Sequence, residues 1–105
     1  MNIAPDPKSI PQGTPLAPEP NQPAPIASSA TGVLTVDLDA IVANWRKLEK
    51  TAVPAECAGV VKADAYGCGA AQVAGALSAA GCKTFFVATL DEARVVRAAV
   101  PAAAL

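Results

Sequence analysis

Histidine is absent from the 105 residues, so a zinc site has no imidazole and a reactive thiol has no obvious activating base. Cys57, Cys68 and Cys82 are odd in number and form no C-x-x-C pair. They read as reduced thiols, Cys68 as a small packing residue, and no metal is expected. An excess of either charge is lacking too. Eight Lys and Arg against nine Asp and Glu give a net charge of −1, which leaves no electrostatic footprint for nucleic acid or an anionic membrane. No eighteen apolar residues run together, and the opening "MNIAPDPKSI" lacks the basic and apolar regions of a secretory signal. Neither nucleic acid nor membrane is expected as a partner, and the expected location is cytoplasmic.

What is present changes character near residue 31. Of the 10 prolines, only Pro54 and Pro101 follow Thr31. Residues 1–31 are expected to be a disordered Pro-rich tail, since their few apolar side chains show no period that could offset the entropy of ordering. A P-x-x-P ligand for a recognition module is the alternative reading of that tail.

Residues 32–105 alternate short β-rich runs with helical periods. "VLTVD" (33–37) predicts a half-exposed strand. "LDAIVANWRKLEKTA" (38–52) predicts an amphipathic helix with Ile41, Trp45, Leu48 and Ala52 on its apolar face, Asp39 as N-cap and Pro54 near its end. "CAGVVK" (57–62) and "TFFVAT" (84–89) predict strands buried on both faces of a parallel sheet. Between them a helix over about 70–80 carries Val73, Ala76, Leu77 and Ala80 on one side, with Gly81 as its C′ residue. Thr89 and Glu92 form a T-x-x-E capping box that opens a helix running to Pro101. The order β-α-β-α-β-α implies an α/β fold with parallel strands. Its size predicts open edges, and "PAAAL" falls where another strand is due.

Lys62 stands out because an ammonium resists burial, yet it ends an apolar run. The C-terminal ends of parallel strands carry the chemistry of such folds, and a lysine desolvated there can attack a carbonyl to form a Schiff base. The plain alternative is a lysine reaching solvent beyond the strand. Four residues on, Tyr66 offers a phenol, and Gly67 and Gly69 permit positive φ where the loop turns into a helix. "GCGAAQ" fits neither G-x-G-x-x-G nor a P-loop, which excludes those nucleotide sites.

"VVKADAYGCG" (60–69) resembles the pyridoxal-phosphate attachment motif of alanine racemases. "VDLDAIVANWRKLEK" before it and "FFVATLDEA" after it resemble the flanking segments, in the same order and at similar spacing, so that the likeness runs from about residue 33 to 100. The resemblance implies the N-terminal part of a (β/α)8 barrel over residues 32–105, followed in the family by a β-rich domain, with the whole acting as a homodimer. It implies pyridoxal 5'-phosphate as cofactor, joined to Lys62, with Tyr66 giving its hydroxyl to the phosphate. An uncharged imine at Lys62 would answer the burial problem. Cys68 departs from the histidine usual at that position, which carries no chemistry in the family.

The implied activity is two-base racemisation of alanine, with Lys62 serving one face and a tyrosine of the partner subunit the other, supplying D-alanine for peptidoglycan. The arginine that partners the pyridine nitrogen, most phosphate ligands and the second base are not among these residues, so an incomplete and inactive fragment is expected. The alternatives are a non-catalytic pyridoxal-phosphate-binding barrel protein, whose members lack the "KADAYG" loop, and a small interaction module with a Pro-rich leader. Related barrel decarboxylases typically show "VKAN" followed by proline, where this sequence continues with Tyr66 and Gly67.

Overall fold

Asp37 is the last extended residue before the first helix, and its side chain accepts a hydrogen bond from Ala40 N at 3.0 Å. Helix α1 (Leu38–Ala52) therefore starts from an Asp37 cap, two residues before the Asp39 expected from the sequence. Asp39 lies instead in the first turn, where its charge complements the helix dipole. Leu38, Ile41, Val42 and Trp45 face the core. The buried stripe is centred between Ile41 and Val42, which leaves Leu48 at its edge, 62% exposed. The indole N–H of Trp45 donates to Cys57 O at 3.0 Å and ties α1 to the chain entering the sheet.

The computed structural model describes residues 29–105. The expected tail over residues 1–31 thus lies outside the described residues except for 29–31, which are exposed. "VLTVD" is not a strand: residues 33–37 make no ladder, because their backbone donors and acceptors meet no neighbouring strand among the described residues. Leu34–Leu105 form one compact unit. Its order is α1, β1 (Gly59–Val60), a short segment α2 (Lys62–Tyr66), α3 (Ala70–Ala80), β2 (Phe85–Phe86) and α4 (Leu90–Ala99).

β1 and β2 pair in parallel, Gly59 with Phe85 and Val60 with Phe86. The connection between them is helical, as parallel neighbours require. Past α4, Ala104 pairs in parallel with Thr84. Phe85 N donates to Ala104 O and Ala104 N to Lys83 O, both at 2.9 Å. Strand positions therefore follow one another across the sheet in chain order, as in a (β/α)8 barrel.

The helices cover one face of this sheet. Phe85 is fully buried there, together with Val61, Val73, Ala74, Leu77 and Val96. Gly59 allows a close approach, since a Cβ on it would meet the Phe85 ring at 3.0 Å and Leu77 at 3.2 Å, tighter than ordinary side-chain packing. The small Ala70 and Ala74 are buried on α3, in place of the expected Ala76 and Ala80, which are half-buried. Both strands differ from the two-sided burial expected. Val60 and Phe86 are register partners at 50% and 59% exposure, because side chains alternate along a strand and these two point away from the helices.

Candidate functional site

β1 delivers the chain through buried Val61 to Lys62, which is exposed. Lys62 thus lies just beyond the strand's C-terminal end, reaching solvent as the plain alternative reading had it. Lys62 also makes no ion pair with a described residue. Its Nζ lies 5.9 Å from the centre of the Tyr66 ring, and Tyr66 is 65% exposed. An amine and a phenol therefore stand together on the exposed side of the strand end.

The backbone that brings them together is unusual. Ala63, Asp64, Ala65 and Tyr66 all have positive φ, between 52° and 56°, so α2 is a left-handed turn. Such backbone costs an L-residue roughly 1–2 kcal/mol per position, and four in succession need support. Gly67, with φ 86°, donates its N–H to Ala63 O and Asp64 O at 3.1 Å. Gly69, with φ 93°, donates to Asp64 O at 2.9 Å. The two glycines thus take the positive φ that the sequence allowed them. Asp64 Oδ1 accepts from Ala70 N at 2.8 Å, fastening the turn to the start of α3, while Ala65 is buried beneath it.

A second clamp comes from α4. Thr89 caps that helix, and its Oγ1 accepts from Glu92 N at 3.2 Å. Glu92 Oε2 returns to Ala88 N at 2.6 Å and Thr89 N at 3.2 Å. Its Oε1 reaches across to Ala63 N at 2.8 Å. The N–H groups of Ala88, Ala63 and Thr89, with the charge of Lys62, hold the Glu92 carboxyl below its ordinary range. Burial, by contrast, pushes the Cys82 thiol up; it is the most buried of three unpaired cysteines.

Sequence reasoning singled out Lys62 and Tyr66 and found the Thr89–Glu92 box, but missed Asp64 and the reach of Glu92 to Ala63. Asp is enriched in left-handed conformations, which was the one available signal for Asp64. Nothing local announces a contact spanning 29 residues.

Parallel strand positions that follow one another in chain order, joined by helices on one face, define the class as the opening units of a parallel α/β barrel. The family model for the N-terminal domain of alanine racemases matches residues 36–105, and the chain belongs to that family. It is 63% identical over 73 residues to the alanine racemase of Methylobacterium nodulans, covering 69% of this chain and 20% of that protein. It is 61% identical over 70 residues to that of Acidiphilium cryptum, covering 67% and 19%. The crystal structure of alanine racemase from Bartonella henselae with covalently bound pyridoxal phosphate superposes with a TM-score of 0.64 at 50% identity, covering 67% of this chain and 20% of that one. The chain spans about a fifth of the length of the curated relatives it matches.

Proposed function

We propose that residues 32–105 are the opening segment of the cofactor-binding barrel of a pyridoxal-phosphate-dependent alanine racemase, with Lys62 as the lysine that carries the cofactor. The observation that supports this is the pairing of an exposed amine and an exposed phenol at the C-terminal end of β1. The residues present fit the group. A primary amine can bond covalently to its aldehyde, and a phenol can donate to its phosphate.

When bound, pyridoxal phosphate supplies an electron-withdrawing ring that acidifies the α C–H of the amino acid. Lys62 would hold the cofactor through its amine, and its Nζ would hold and return the α proton on one face of the amino acid. Tyr66 fixes the phosphate end through its hydroxyl. The substrate is alanine, converted between its L and D forms for peptidoglycan, in a cytoplasmic homodimer. The proton on the opposite face is handled by a residue outside this chain, whose one tyrosine is Tyr66 and which has no histidine.

The test is made in full-length context, with residues 34–105 replacing the matching segment of the Methylobacterium nodulans relative. Lys62→Ala should abolish racemisation, losing more than the roughly 10²–10⁴-fold expected of a proton-transfer group alone, because it removes the anchor as well. Tyr66→Phe should act mainly by weakening cofactor retention. Unimpaired turnover by Lys62→Ala would sink the assignment.

A further inference from the structure

The capping box of α4 satisfies its helix with one carboxylate oxygen, leaving the other free for a different task. Oε2 of Glu92 serves Ala88 N and Thr89 N, which are local to the helix start. Oε1 takes Ala63 N, at the first left-handed residue after Lys62. One side chain therefore joins the loops that follow β1 and β2.

We propose that Glu92 is a positioning residue for the cofactor lysine, bridging the two strand-end loops and holding the left-handed turn that presents Lys62 and Tyr66 on one side. The proposal rests on the function assigned to Lys62 above. Its physical ground is the cost of the turn. Four consecutive L-residues at positive φ persist only where surrounding bonds over-determine them, and such outliers gather at functional sites. The Asp64 and glycine bonds fasten the turn's end to α3. The bond from Ala63 N to Glu92 fastens its beginning, next to the residue that must be aimed. Ala65 N also donates to Val61 O at 3.0 Å, so the Glu92 bond adds to that local tie one from another element.

Helix capping alone would make Glu92 a stability device with no special effect on Lys62, and two variants separate these roles. Thr89→Ala weakens the reciprocal cap but leaves the oxygen that Ala63 uses. Glu92→Gln offers one acceptor oxygen where the carboxylate has two, and its amide group opposes an N–H donor. Glu92→Asp retains the negative charge at the helix start but is one methylene too short to span both loops, and it serves if the Gln variant folds poorly.

In the full-length context described above, two quantities are measured: hydrogen exchange of the Ala63 amide without cofactor, and the rate at which Lys62 captures added pyridoxal phosphate. Both Glu92 variants are expected to speed exchange at Ala63 by about tenfold or more, the loss of a charge-assisted hydrogen bond, and to slow capture by a similar factor. Thr89→Ala is expected to leave both within about twofold while lowering the urea midpoint. Unchanged exchange at Ala63 in the Glu92 variants would overturn the clamp. Equal slowing of capture by Thr89→Ala would reduce Glu92 to a helix cap. Capture at another lysine in the unsubstituted protein would overturn the proposed function and the positioning role with it, while the Ala63 exchange would still read the clamp itself.

Discussion

Gly67 follows the four left-handed residues at φ 86°, with nothing within 4 Å of where a Cβ would stand. Space is therefore not what requires glycine there; backbone conformation is. Gly67→Ala should cost about 1–2 kcal/mol through left-handed strain, read as a lower urea midpoint with an unchanged slope. An unaltered midpoint would show that the turn does not hold this conformation. The sequence shows two glycines able to take positive φ, and both do so. It does not show that Ala63, Asp64, Ala65 and Tyr66 share it. Of Ala-Asp-Ala-Tyr only the Asp has a local preference for left-handed backbone, and the bonds that enforce the turn come from Ala70 and Glu92, distant along the chain or on another element. Lys62 was legible as a residue at a strand end, and of the two readings of its surroundings the solvent-reaching one holds, because the strand stops at Val60 and buried Val61 ends the apolar run.

Among the elements, those governed by local signals match the sequence well. The bounds of α1, the Gly81 stop of α3 and the capping box of α4 all rest on residues within a turn or two of each other. Strands depend on neighbours, and there the reading fails: "VLTVD" makes no ladder, and the two observed strands are two residues each. The start of α4 carries a pH signature. The Glu92 carboxyl is held below its ordinary 4.5 by its N–H partners. Below that value the unfolded chain takes up a proton while folded Glu92 stays ionised, so the unfolded state binds more protons and stability falls as the pH falls. The contribution is complete above 4.5 and is lost as pH drops through the folded value. Urea midpoints between about pH 3 and 7 should therefore fall more steeply on the acid side for the native protein than for Glu92→Gln. Parallel curves would show that Glu92 is not held by these bonds.

For the whole molecule, one layer of helices covers one face of a parallel sheet, while Val60 and Phe86 lie exposed on the other. That is the arrangement of successive units of a barrel, whose interior-facing side chains alternate with those under the helices. No described helix is long and apolar enough to cross a membrane. The family could be read from three separated segments in register, and the match over residues 36–105 bears this out. The proposed function concentrates the chemistry of this segment at Lys62. It is tested most directly by borohydride reduction of the chimera in which residues 34–105 replace the matching segment of the Methylobacterium nodulans relative, loaded with pyridoxal phosphate, followed by peptide mapping. A single reduced adduct on Lys62 is expected, with Lys47, Lys50 and Lys83 unmodified, because of these four only Lys62 follows the C-terminal end of a sheet strand. An adduct on any of the other three, with Lys62 unmodified, would contradict it.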